Sequence, residues 1–214
     1  MSDTRVVLVR HGESFANAER FLGGLRTCRG LTDHGRAQAR VLGERLARTR
    51  ELSVDAVVSS SYPRALQTAE IILPYVGHSV LDVRAAFGEH DPGPECDGLK
   101  FDEFVARYGP PNFNADPHAV TFPGGETIAE FHTRIIEAFR ELERDYRNQT
   151  VVVSCHGGTI EGLLRHALQT PSTGRFELYA KNSSITELVR ARENVWRLVR
   201  YNDHAHLADL PDLE

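Results

Sequence analysis

Five side chains in this sequence could together handle a phosphoryl group: Arg10, His11, Arg64, Glu89 and His156. Arg10-His11-Gly12-Glu13-Ser14 directly follows the apolar run Arg5-Val6-Val7-Leu8-Val9. His156-Gly157-Gly158 follows Thr150-Val151-Val152-Val153-Ser154-Cys155, and Arg64 closes the segment Ser59-Ser60-Ser61-Tyr62-Pro63-Arg64 that trails Asp55-Ala56-Val57-Val58-Ser59. Short β-branched runs of this kind read as buried strands, and open α/β sheets place their ligands at the carboxyl ends of such strands. Two Arg and two His would then meet in one pocket. Such a cluster repels itself unless an anion sits in its middle, and the Arg fork matches phosphate oxygens bidentately. Helices starting at the same strand ends add N–H groups and the favourable end of their dipoles.

Having His as well as Arg defines a reaction. A neutral imidazole can attack phosphorus to give a phosphohistidine, while the Arg side chains and the second His stabilise charge on the equatorial oxygens. The leaving alkoxide needs a proton, and Glu89 can donate it if burial and the nearby phosphate keep it protonated.

These residues require a frame that brings strand ends together. The pattern predicts strands at 5–9, 55–59, 79–83, 150–155, 184–191 and 195–202, with Asn194 as the turn of a closing hairpin. Thr32 is expected to cap a helix over 33–49 whose stripe is Ala37, Val41, Leu42 and Leu46. Ser61 is expected to cap, with Pro63 in the first turn, a helix running to Leu73. Further helices are expected over 100–108, 126–147 and 159–168, the second with Ile128, Phe131, Ile135, Ile136, Phe139 and Leu142 on one face. Residues 12–31 read as a long Gly-rich loop and 84–99 as irregular. Alternating strands and helices predict a three-layer α/β/α sandwich with a mostly parallel central sheet, made mixed by the final hairpin.

Composition sets the bounds. With 214 residues, 41% of them hydrophobic, the chain suffices for a single domain spanning 1–214. A net charge of −5 argues against non-specific nucleic-acid or anionic-membrane binding. Three cysteines, Cys28, Cys96 and Cys155, do not make a disulfide framework and favour a reducing compartment. Met1-Ser2-Asp3 passes straight into the first strand, leaving no room for a signal peptide, and no apolar run reaches spanning length, so a cytoplasmic location is expected. The apolar helix faces read as core by default, with a homodimer contact on part of them as the lesser alternative.

Arg10-His11-Gly12-Glu13 with Asn17, Leu31-Thr32-x-x-Gly35-x-x-Gln38-Ala39, Ser59 to Arg64 with Thr68-Ala69, Glu89, Pro123-Gly124-Gly125-Glu126 and His156-Gly157-Gly158 together resemble the histidine phosphatase superfamily, with its phosphoglycerate mutase-like fold. The resemblance implies His11 as the phosphorylated nucleophile and Arg10, Arg64 and His156 as the phosphate pocket. It also implies Asn17 as a further phosphate contact and Glu89 as the acid and base. Gly157, opening the last helix, is expected to offer its N–H to the phosphate. The reaction so implied needs no cofactor and no metal, and its partner is a small-molecule phosphate monoester.

Two departures favour a hydrolase over a mutase. Similar enzymes carry Gly-x-aromatic-Glu-Gly after the catalytic Glu, whereas this chain reads Gly93-Pro94-Glu95-Cys96-Asp97-Gly98. The Arg-rich segment of the mutases is replaced by Pro110-Pro111-Asn112-Phe113-Asn114-Ala115-Asp116. Residues 87–123 are therefore expected to form a variable insertion that grips the leaving group. The acids at 89–97 in it would favour a neutral or cationic alcohol. The expected activity is metal-independent phosphomonoester hydrolysis through phosphohistidine. The alternatives are mutase-type phosphoryl transfer and a non-catalytic phosphate-ligand binding protein. Cys155 reads as a buried strand residue, since the Arg of a Cys-x5-Arg loop is replaced by Glu161. His204-Ala205-His206 lacks a third metal ligand at suitable spacing.

Overall fold

The strand β1 (Arg5–Arg10) is buried on both faces, with Val6 to Val9 all at 0% exposure, and the other central strands are built around it. The computed structural model describes residues 3–113, 116–193 and 195–210. In chain order follow α1 (Phe15–Glu19), α2 (Asp33–Thr49), β2 (Ala56–Ser59), α3 (Pro63–Ile72), β3 (Asp82–Val83), α4 (Gly93–Cys96) and α5 (Phe101–Tyr108). The remainder comprises α6 (Ile128–Asp145), β4 (Thr150–Cys155), α7 (Gly157–Ala167), β5 (Ile185–Arg192) and β6 (Val195–Asp203). The sheet runs β3-β2-β4-β1-β5-β6. The first four of these strands are mutually parallel, and β5 and β6 are antiparallel to their neighbours. The mixed, mostly parallel α/β sandwich expected from the sequence is therefore the one observed.

Alternate residues of β1 serve opposite layers. Val6 and Leu8 join Phe131, Ile135, Phe139 and Leu142 of α6 and Ile160, Leu163 and Leu164 of α7. Val7 and Val9 join Leu42 and Leu46 of α2 and Ile72 of α3. Continuous apolar strands are what a sheet covered on both faces requires. A smaller cluster of Cys96, Phe104 and Phe122 supports residues 93–122.

Most differences from expectation are local. Residues 12–31 contain α1, started by a capping box in which Ser14 and Asn17 each satisfy the other's backbone, and stopped by Arg20 in the left-handed region. A five-residue helix leaves no periodic trace in sequence. Thr32 caps α2 as expected, through its hydroxyl and the Gly35 N–H, but Ala37 and Val41 are only half-buried and Ala39 takes the inward place. Tyr62 occupies the N-cap of α3 without a side-chain bond, so Ser61 is not the cap; Pro63, with its φ already helical, opens that helix. The third strand shrinks to two residues at the sheet edge. Residues 84–99 hold a 3-10 turn (Ala85–Phe87) and α4. Asn194 lies outside the described residues.

Charge pairs tie the last hairpin to the sandwich. Arg45 of α2 donates to Asp203 of β6 at 2.6 and 2.9 Å and to Glu51 at 2.8 Å, and Arg200 bonds Glu51 and Glu187 at 2.6 Å each. The Arg45 guanidinium holds the Asp203 carboxyl well below the usual carboxylate range, outweighing the opposing effect of burial. A carboxylate depressed on folding contributes stability that is complete above its unfolded value near 4 and lost as pH falls through the folded value. Asp203→Asn is expected to flatten the acid limb of the stability profile below about pH 4, as read by thermal melts from pH 7 to pH 2; a limb as steep as the wild type's would contradict this.

Candidate active site

The register of β1 on β4 places Arg10 opposite Cys155, so the two chains leave the sheet side by side at His11 and His156. The His11 N–H then bonds the Cys155 carbonyl at 2.9 Å. On the far side of β4, Ser59 pairs with Ser154, which delivers Ser60 and, one helical start later, Arg64 to the same level. Arg10, His11, Arg64 and His156 are thus brought together, with ring centroids of the two histidines 5.2 Å apart.

Hydrogen bonds define the state of both rings. His11 Nδ1 lies 2.7 Å from the Gly12 carbonyl and must donate to it, leaving the Nε2 lone pair to accept from Arg64 Nε at 3.1 Å. His156 Nδ1 accepts from the same Arg64 Nε at 3.3 Å, so its proton is on Nε2, 2.8 Å from Ser60 Oγ. Burial, reinforced by the Arg64 charge, holds both imidazoles well below their ordinary value. Two neutral histidines therefore present their lone pairs to one guanidinium. Arg64, 4% exposed, also donates to the Gly23 carbonyl at 2.9 Å and lies over the Tyr62 ring.

Arg10 donates to the Ala180 carbonyl, yet its buried Nε has no partner among the described residues. This unsatisfied donor lies beside Gly157, at the start of α7. Asn17 spends its carbonyl oxygen on the Ser14 N–H and on Asn182 Nδ2, which leaves its amide N–H groups for the cavity it lines. Asn182 also donates to the His11 carbonyl at 2.9 Å.

Glu89 stands across the cavity from this cluster's strand ends. Its carboxylate accepts from the Gly158 N–H at 3.1 Å and from the His90 N–H at 3.0 Å. A Cβ on Gly158 would come within 2.3 Å of that carboxylate, so a larger residue there would push Glu89 out of this position. The loop bearing Glu89 is held by Arg134 of α6, which donates to the carbonyls of Ala86, Gly88 and Glu89 at 2.8, 3.1 and 3.2 Å while paired with Glu126. Arg134 has no sequence signature, being one polar residue among many on an amphipathic helix. Ser60 and Asn182 escaped notice for a similar reason: each acts on a site residue that is distant in sequence.

The residues open onto a cavity of about 520 Å³ lined by Arg10, His11, Asn17, Arg64, Glu89 and Gly158 at one end. His156 and Gly157 lie behind this lining. Residues 87–123 supply His90, Pro92, Phe113 and Phe122 to it, but so do Phe21 and Leu22, α6 and α7, so the leaving-group wall is broader than the expected insertion. The acids of 91–97 do not face it. Asp97 accepts from the Gly24 and Arg26 N–H groups at 2.9 Å each, Asp91 caps Gly93 at 2.9 Å, and Glu95 is exposed. Gly93, at φ +73°, packs against Gly124 so closely that a Cβ would approach its carbonyl oxygen to 2.3 Å, which couples the departing Gly93–Gly98 segment to Pro123-Gly124-Gly125-Glu126.

Cys155 is fully buried, and burial drives its thiol pKa upward, as suits a strand residue. His204 and His206 lie away from the cavity, His206 beside Arg45. Among the described residues no group of three His, Cys, Asp or Glu is arranged to hold a metal, and no helix is long and apolar enough to cross a membrane.

Comparison with known proteins agrees with this geometry. A Bacillus subtilis (strain 168) protein named uncharacterized phosphatase PhoE is 32% identical over 213 residues, covering 96% of this chain and 97% of its own. A 2,3-bisphosphoglycerate-dependent phosphoglycerate mutase of Brucella anthropi is 32% identical over 165 residues, or 74% of this chain and 79% of its own. The solved mycobacterial glucosyl-3-phosphoglycerate phosphatase superposes with a TM-score of 0.78 at 25% identity, covering 92% of this chain and 98% of that one. The family profile described as histidine phosphatase superfamily (branch 1) matches residues 6–204, and the chain, with its paired histidines at adjoining strand ends, belongs to that superfamily.

Proposed function

We propose that this protein is a metal-independent phosphomonoesterase that works through a phosphohistidine on His11. The observation that carries the reading is the His11 ring: its Nδ1 proton is tied to the Gly12 carbonyl and its Nε2 lone pair is directed at the Arg64 guanidinium. A phosphate monoester seated against Arg64, the unpaired Arg10 Nε and the Asn17 amide would put phosphorus before His11 Nε2.

Attack forms the N–P bond as the P–O bond to the alcohol breaks, and Glu89 gives that alcohol its proton. Glu89 then takes a proton from water as the water attacks the phosphohistidine, and inorganic phosphate leaves. The N-terminus of α7 and the Arg64 guanidinium stabilise the equatorial oxygens, and His156, its orientation set by Ser60, positions Arg64 through Nδ1. A relative named a phosphatase along essentially its full length supports hydrolysis over mutase-type transfer. The apolar character of the leaving-group walls supports it too, because a second phosphate would lose its hydration there without a matching guanidinium.

The first test is phosphate release from phenyl phosphate with a chelator present. The wild type is expected to turn over, and His11→Ala to lose at least about a thousandfold in kcat. A chelator-sensitive rate, or a rate that His11→Ala leaves unchanged, would refute the proposal. Nitrogen-15 spectra of the histidines at pH 6 are expected to show His11 neutral with its proton on Nδ1 and His156 neutral with its proton on Nε2, because both pKa values are lowered and protonation awaits a more acidic solution. An imidazolium at either position would contradict this. Arg134→Ala is expected to lower kcat by about ten- to a hundredfold with KM little changed, as Glu89 loses its placement; an unchanged kcat would show that the Glu89 loop holds itself.

A further inference from the structure

The cavity continues well beyond the phosphate end, and its far end has a definite chemistry. Gly158, Glu161 and Arg165 recur at intervals of three and four on α7 and all line the cavity, so they share one helix face. At 1.5 Å per residue, Glu161 stands about 4.5 Å and Arg165 about 10 Å along the axis from the Gly158 N–H that touches Glu89. The space between is walled by Phe21, Leu22, Phe113, Phe122, Ile128 and Phe131.

Most of the Arg165 guanidinium is committed within the protein. Its Nε and one terminal nitrogen both go to Glu161 Oε1, at 2.9 and 2.7 Å, its other terminal nitrogen donates to the Pro171 carbonyl at 3.1 Å, and the Phe176 carbonyl completes the set. These bonds also hold the 171–176 segment, which brings Glu177 to the same end of the cavity. Glu161 Oε2 and the whole Glu177 carboxylate accept no hydrogen bond among the described residues. His132 adds no positive charge, because burial lowers its pKa to about 4. One guanidinium already in use thus faces two carboxylates, so the far end is rich in acceptors and net negative.

We infer that the substrate is the phosphate ester of an alcohol with an apolar, ring-sized body and a hydrogen-bond donor at its far end, an ammonium before a hydroxyl, received by Glu161 and Glu177. The inference rests on the phosphatase reading and deepens it. A carboxylate at that end would meet two like charges, whereas an ammonium would meet two acceptors at the end of an apolar slot. The preference for a neutral or cationic alcohol, which the acids of 91–97 cannot supply, is supplied by α7 and the segment it anchors.

The test compares kcat/KM for three aryl esters: phenyl phosphate, tyramine phosphate with its ammonium, and 3-(4-phosphonooxyphenyl)propanoate with its carboxylate. The wild type is expected to prefer the ammonium ester over the carboxylate ester by about tenfold or more. Glu177→Gln and Glu161→Gln are each expected to reduce that ratio by about threefold, and the double variant to bring it near one. Glu177 is exposed and without partners among the described residues, so Glu177→Gln keeps the comparison independent of folding. Turnover of phenyl phosphate without an ammonium preference, or a preference that both variants leave intact, would overturn the inference while the phosphatase reading stands. No phosphate release from any of the three would overturn both.

Discussion

The parallel register between β1 and β4 is the constraint on which the site depends. Arg10 opposite Cys155 puts His11 beside His156, and a shift of one residue would turn one of the two rings to the other face of the sheet. The register is strongly specified because both strands are buried on both sides, Val6 and Leu8 against α6 and α7, Val7 and Val9 against α2 and α3. Catalytic geometry is here a by-product of core packing. The strands that bury the most apolar surface are the same strands that end at the histidines.

Collecting positive charge at these ends has a cost that the structure meets in two ways. Both histidines are neutral, so that within the cluster only guanidiniums carry charge, and Arg64 divides one N–H between two imidazole lone pairs. Arg10 instead leaves Nε unsatisfied at the opening of α7. A buried donor without an acceptor is unfavourable, and an arriving phosphate relieves it. Under the proposed function, the hydrogen bonds that cost the site stability are the ones an anion would satisfy.

The proposed acid, Glu89, is placed separately, from α6 and α7. Arg134 binds three carbonyls of the Glu89 loop, and Gly158 lets the carboxylate reach the first turn of α7. The nearby acids Asp91 and Asp97 serve the backbone instead, by capping turns, while Glu126, distant in sequence, neutralises Arg134. That assignment follows from backbone N–H groups that need acceptors once the loop folds over itself.

The sequence by itself determined the layers and the strand ends, and it pointed to Arg10, His11, Arg64 and His156, which the fold brings together, and to Glu89. It did so because buried strands are apolar throughout, and because Arg10-His11 and His156 stand at the ends of two of them. Thr32 and Pro63, which act within one turn of themselves, were legible for the same local reason. Only the tertiary structure decided which lone pair each histidine presents, which acids line the cavity and which are spent on turns, and that Arg134, Ser60, Asn182, Glu161 and Glu177 matter. Each of these rests on partners tens of residues away or on a helix face shared with another element. No local propensity carries that information; long-range packing does.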